Sequence, residues 1–242
     1  MITYSDFQSK LNDTLKDAQY SSDHSAEILR ATNRALDDIN VGEVGEPNDK
    51  EVTYDFQRKQ TTISFVKNTY NYTQSLTDFK FCADLRVHTD EDEVFSEVDT
   101  NYFFRKKGVF SSQEKMYTYI YNGITLTMKI NHDTTETLDL DYYSNNMVLN
   151  TDGSTLQKQI INNNDKFLIP EIYINVLEEL SAAYLFQLLK GTEDDDFIFH
   201  LKEGRNRLKR MISSIGRFKK QPSQRVLIHN EMGNVIRRIT TK

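Results

Sequence analysis

Met116-Tyr117-Thr118-Tyr119-Ile120-Tyr121, then Asn122-Gly123, then Ile124-Thr125-Leu126-Thr127-Met128-Lys129-Ile130, is two β-rich runs joined by two residues that both tolerate positive φ. Asn-Gly suits the two central positions of a type I′ turn, whose twist matches the strands on either side. The stretch therefore reads as an antiparallel hairpin. Its surroundings keep the same period of two. Phe79, Phe81, Ala83, Leu85 and Val87 alternate with Lys80, Cys82, Asp84, Arg86 and His88, the pattern of a half-buried strand. Leu138, Leu140 and Tyr142 alternate with Asp139, Asp141 and Tyr143. From about 52 to 143 the pattern predicts an antiparallel sheet of five or more strands.

On both sides the period lengthens to that of a helix. Phe7, Leu11, Leu15 and Ala18 form one stripe over 5–18, with Thr3 or Ser5 as N-cap. Ile28, Ala31, Ala35, Leu36 and Ile39 form a second stripe, ended by Gly42, Gly45 and Pro47. After a polar loop at 144–165, a wide apolar face runs through Ile172, Tyr173, Val176, Leu177, Leu180, Ala183, Tyr184 and Leu188, and stops at Gly191. The next helix opens on Glu193-Asp194-Asp195-Asp196 and carries Arg205, Arg207, Lys209 and Arg210 towards its end, charges placed to favour the helix dipole. Its buried stripe is Phe197, Leu201, Leu208, Met211, Ile212 and Ile215. Past Pro222, two short β-rich runs, Val226-Leu227-Ile228 and Val235-Ile236, read as an extended arm or hairpin.

The fold class expected from this order is α+β: a helical bundle formed by the N- and C-terminal helices, with a central antiparallel β-rich insertion and a C-terminal extended arm. The segments are a helical pair at 1–45, the insertion at 50–145, a helical hairpin at 166–218 that completes the bundle, and an arm at 222–242.

The 242 residues can bury a sizeable core, and 13 Tyr with 14 Phe supply its bulk although only 38% of the chain is apolar. No run approaches the ~18 consecutive apolar residues of a membrane-spanning helix. The opening MITYSDFQSKLNDT has no basic leader or apolar core, so no secretory signal is expected. A single cysteine, Cys82, makes no intramolecular disulfide and fits a reducing cytoplasm. Charge is segregated. Residues 201–242 carry 12 Lys and Arg against 2 Asp and Glu, whereas residues 1–200 carry 18 against 34. A basic tail on an acidic body predicts an acidic partner for the tail.

Chemistry-bearing motifs are sparse. There is no phosphate-binding G-x-x-x-x-G-K-[ST] loop, and the Gly42/Gly45 stretch reads as a linker. His24, His88, His132, His200 and His229 are scattered without metal-ligand spacing. Cys82 sits mid-strand with no base beside it in sequence. The acidic clusters Asp90–Glu93 and Glu193–Asp196 lack calcium-loop spacing and read as solvated acid. The expectation is a chain with no catalytic site, no cofactor and no metal. Two rivals remain open: a DNA-binding or packaging accessory protein using residues 202–220, and a carboxylate-dependent hydrolase.

The layout resembles the head-to-tail adaptor proteins of tailed bacteriophages over about residues 3–218. The resemblance is carried by the paired N-terminal helices and Thr137-Leu138-Asp139-Leu140-Asp141-Tyr142-Tyr143. It continues through Phe167-Leu168-Ile169-Pro170-Glu171-Ile172-Tyr173, Leu180-Ser181-Ala182-Ala183-Tyr184 and Leu208-Lys209-Arg210-Met211. It implies a virion structural protein at the neck, made in the host cytoplasm and assembled into a homo-oligomeric ring, commonly of twelve copies. Such a ring docks beneath the portal by its C-terminal segments, meets a downstream tail or neck protein, and lets genomic DNA pass without sequence-specific contact and without a membrane. The arm residues expected to dock on the portal or on a neighbouring subunit are Arg225, Val226, Leu227, Ile228, Val235, Ile236, Arg237 and Arg238.

Overall fold

A computed structural model of the chain describes residues 1–15, 23–42, 52–67, 69, 71–106, 115–132, 134–218, 226–229 and 235–239. Helix α1 (Tyr4–Leu15) is capped by Thr3, whose Oγ1 accepts from the Asp6 amide at 3.1 Å and donates to the Asp6 carboxylate at 2.6 Å. Helix α2 (Ser25–Val41) ends on Gly42 at φ 75°, where the glycine N–H reaches the carbonyls of Asp38 and Ile39. A Cβ at 42 would also meet Val52 Cγ2 at 2.5 Å. Near the other end of the chain, α4 (Ile174–Lys190) and α5 (Asp195–Ile215) form an antiparallel hairpin. A short helix, α3 (Thr100–Lys106), interrupts the β-rich part.

Two four-stranded sheets share one core. The first has the order β2 (Arg58–Phe65), β9 (Glu136–Ser144), β4 (Phe79–Val87), β5 (Asp90–Val94). The second has the order β3 (Tyr72–Gln74), β8 (Leu126–Asn131), β7 (Met116–Tyr121), β6 (Ser96–Glu97). Ile63, Phe79, Leu85, Leu138 and Leu140 from the first sheet meet Tyr72, Tyr117, Leu126, Met128 and Ile130 from the second. A separate core joins α1, α2, α4 and α5 to β1 (Val52–Tyr54), β10 (Val148–Leu149) and β12 (Lys166–Phe167). There β1 pairs antiparallel with β13 (Gly216–Phe218), while β10 lies between β12 and β11 (Leu156–Gln157).

These arrangements correct the expectation of a helical bundle formed by N- and C-terminal helices with one antiparallel insertion. The chain is α+β, but its helices do not close a bundle among themselves. They gather on α4, and Val52, Tyr54, Val148, Phe167 and Ile169 fill the remaining sides of that core. The insertion is two sheets rather than one, and β6 runs parallel to β7. The 144–165 loop contains β10 and β11 and is anchored by Asp165. Burial opposes ionisation of Asp165, yet bonds from the amides of Ile161 and Asn162 and the side chains of Thr151 and Gln157 outweigh it and hold the carboxyl below its ordinary pKa.

Two strand details also differ from the pattern. The 116–131 hairpin closes with Tyr121 opposite Leu126, so the loop has four residues and not two. Asn122 Oδ1 accepts from the amides of Ile124 and Thr125 and replaces the expected type I′ turn. In β4, register shifts between Phe79 and Phe81 and between Cys82 and Asp84 change which residues face inwards. Cys82 is buried and Ala83 is exposed, the reverse of the simple alternation.

Gly204 on α5 lies over Leu180 on α4: a Cβ at 204 would meet Leu180 Cδ2 at 2.7 Å and the Leu180 amide nitrogen at 3.1 Å. Leu180→Ala is expected to cost about 2–5 kcal/mol, and Gly204→Ala about 1–3 kcal/mol by overpacking. In the double variant the loss should be smaller than the sum, since the shortened side chain at position 180 vacates the space that the new methyl needs. Urea-unfolding midpoints of the three variants test this; strictly additive losses would rule out the close packing.

Candidate assembly site

The turn between α4 and α5 presents apolar and acidic side chains together. The N-cap of α5 is Asp194, whose carboxylate accepts from the amides of Asp196 (3.1 Å) and Phe197 (3.3 Å). Phe197 points inwards with Ala183 and Phe186. One turn on, His200 stacks on Phe186 and its Nδ1 lies 2.8 Å from the Glu179 carboxylate, which Arg207 also meets at 3.2 Å. Glu179 is a buried carboxylate matched by partners across the hairpin, so the two helices are held in register by charge as well as by packing. With that face committed, Ile198 and Phe199 turn outwards, 52% and 64% exposed, and Leu188 and Leu189 at the end of α4 are 49% and 37% exposed. Glu193, Asp195 and Asp196 are exposed beside them, and Lys190 bridges Asp194 and Asp196 at 3.8 and 3.1 Å.

At the other end of α5 the surface is basic. Lys202, Lys209 and Arg210 are exposed and make no ion pair among the described residues. A shallow groove of about 410 Å³, open to solvent, is lined by Lys209, Arg210, Ser213 and Ser214. Beyond it, the pairing of β13 with β1 holds the root of the arm against the helical core.

Of the expected docking residues, Arg225 lies outside the described residues. Val226, Leu227 and Ile228 fall on β14 (Val226–His229), and Val235, Ile236, Arg237 and Arg238 fall on β15 (Val235–Ile239). The two strands pair antiparallel, placing Leu227 opposite Arg238 and Ile228 opposite Arg237, with Ile236 at a register shift. Among the described residues they form a two-stranded sheet hydrogen-bonded to no other strand. The arm is thus brought together as a hairpin. Leu188, Leu189, Ile198 and Phe199 are the surface residues that sequence reading misses. Their signal is positional: Ile198 and Phe199 interrupt an acidic first turn and fall off the Phe197–Leu201–Leu208 stripe.

The remaining reactive groups are absorbed into structure. His132 is buried against Glu136, and His88 Nδ1 sits 2.9 Å from Asp139. Within the first acidic cluster, Asp90 accepts from the Asp92 amide and Glu93 pairs with Lys115. Among the described residues no group of three or more His, Cys, Asp and Glu is placed to hold a metal ion, and no helix is long and apolar enough to cross a membrane. No protein-family model matches the chain, and no curated protein matches it.

Burial pushes the Cys82 thiol up to about 12, against a contact with Tyr117 that favours the thiolate. At pH 8 about one molecule in ten thousand then carries the nucleophilic form. Ellman's reagent should leave the folded protein unmodified and titrate one thiol in denaturant. Rapid modification of the native chain would show that Cys82 is accessible and ionised.

Proposed function

We propose that the chain is a virion structural protein: a head-to-tail adaptor that assembles as a ring beneath the portal and forms part of the DNA conduit. The observation that carries this reading is the C-terminal hairpin β14–β15, whose strands pair only with each other among the described residues. A two-stranded ribbon alone is marginal in water, so its apolar residues need a second surface. Strand addition or docking on a protein partner provides one. The charge pattern supports the same assignment. An acidic body repels the phosphate backbone and lets a duplex slide past, while the basic tail pairs with carboxylates on a protein. The partners of the ring are the portal, a downstream tail or neck protein, and passing DNA contacted without sequence preference. The protein is non-enzymatic in this reading and needs no cofactor.

A second reading draws on the exposed Lys202, Lys209 and Arg210 and the groove beside them. It makes the chain a DNA-binding packaging accessory. Binding to duplex DNA that falls steeply with salt favours this alternative.

The deciding experiment is a chain ended after Gln221. The two cores form from residues that precede this point, so it should keep its unfolding midpoint. Mixed with portal rings, the full chain should sediment with them and the shortened chain should not. Equal incorporation of both chains would remove the arm from docking and take away the main support for the reading.

A further inference from the structure

Residues 188–199 hold four carboxylates against the single Lys190 and display Leu188, Leu189, Ile198 and Phe199 to solvent. Lys190 is occupied by Asp194 and Asp196, whereas Glu193 and Asp195 make no ion pair among the described residues. Single exposed apolar residues need no explanation. Four at one end of a helical hairpin, rimmed by acid, form a surface that calls for a cover which is itself apolar and basic. The chain contains such a segment. Residues 217–242 carry seven Lys and Arg against Glu231 alone, and their apolar content is concentrated in Val226-Leu227-Ile228 and Val235-Ile236.

The placement of the two features sets which copy meets which. The elbow opens α5 and the root of the arm, β13, closes it. Twenty-one helical residues separate them, about 31 Å at 1.5 Å per residue. The root is also pinned to β1 at that far end. Acidic-apolar and basic-apolar surfaces at opposite ends of one rigid rod are the two halves of a head-to-tail contact, the kind that generates a ring when its rotation closes.

We propose that the β14–β15 arm of one copy seats on the 188–199 elbow of a second copy of this chain. Val226, Leu227, Ile228 and Ile236 supply the apolar cover for Leu188, Leu189, Ile198 and Phe199. Arg237 and Arg238 pair with Glu193 and Asp195, bidentately where geometry permits. The contact rests on the ring reading above and names the surface by which copies join.

The test uses full-length chains and no portal. Ile198→Cys copies are mixed with Ile236→Cys copies under mild oxidation, with Ile161→Cys, at an exposed position far from the elbow in sequence, as the control partner. Cys82 is left in place because it is buried. The expected result is a 198–236 disulfide between different copies, well above the 161–236 background. Phe199→Asp, a change at an exposed side chain, should leave the unfolding midpoint unchanged and weaken self-association by about tenfold. Cross-linking equal to the control, or sedimentation as a monomer at high micromolar concentration, overturns the contact. So does unchanged association of Phe199→Asp. The two readings fail separately. Chains that cross-link at 198–236 yet ignore portal rings keep this contact and lose the adaptor assignment. Chains that join portal rings without the cross-link lose this contact alone.

Discussion

Burying α4 on nearly every side is the constraint on which the helical half of the molecule depends. From Leu177 to Phe186 every residue except Glu178 is buried, including the polar Glu179 and Ser181. A helix with so wide an apolar surface is unstable in water, and one neighbour cannot cover it. The cover comes from both ends of the chain: α1 and α2 from the first 41 residues and α5 from beyond 194. Strand residues close the gaps between them. Folding of the helical core must therefore wait for contacts between residues far apart in sequence, which favours slow collapse over local zipping.

The second core is tied to the first by a few polar contacts with strict geometry. Lys80 leaves β4, donates to the backbone carbonyl and side chain of Asn40 at the end of α2, and reaches the Val52 carbonyl at 2.6 Å. A cation at this place satisfies helix-end carbonyls and opposes the negative end of the dipole. Gln57 reaches the same Asn40 side chain at 2.6 Å, while Tyr54 donates to the Ile39 carbonyl. Each donor in this buried cluster is matched to an acceptor on another element. The cluster thus fixes how the sheets meet the helices, where apolar contact alone would allow sliding.

Periodicity makes the element types legible because each stripe is set by one buried face. Phe7 and Leu11, or Ile28, Ala35 and Ile39, announce α1 and α2, and Leu138, Leu140 and Tyr142 announce β9. What periodicity does not carry is the identity of the neighbour. Nothing in the stripe of α4 says that Val52, Val148 and Phe167 will complete its surroundings, so a bundle is the natural but mistaken inference. A bulge is likewise silent in sequence. One extra residue near Cys82 exchanges the buried and exposed faces of β4 without altering its composition. The four-residue turn at Asn122 wins over the two-residue form through side-chain acceptance that Asn offers in either geometry. The arm can be read because its two β-rich runs are short and separated. The elbow cannot, because its apolar residues matter only once α4 and α5 have committed their other faces to each other.

Rigidity of α5 is what turns these separate surfaces into a directional device. Its N-terminal turn is locked by the Asp194 cap and by His200 and Arg207 on Glu179, and its C-terminal end is held by the strand pairing of β13 with β1. Gly204 allows it to lie directly against α4, so neither end can tilt without breaking contact with Leu180. A flexible connection would let the arm fold back on its own subunit or meet neighbours at any angle, which yields aggregates of no fixed size. A rod pinned at both ends sends the arm off in one direction relative to the elbow. In a heterologous assembly that direction sets the rotation between adjacent copies, and the rotation decides whether the chain of subunits closes. The packing that stabilises the monomer is thus the same packing that would determine the size of a ring.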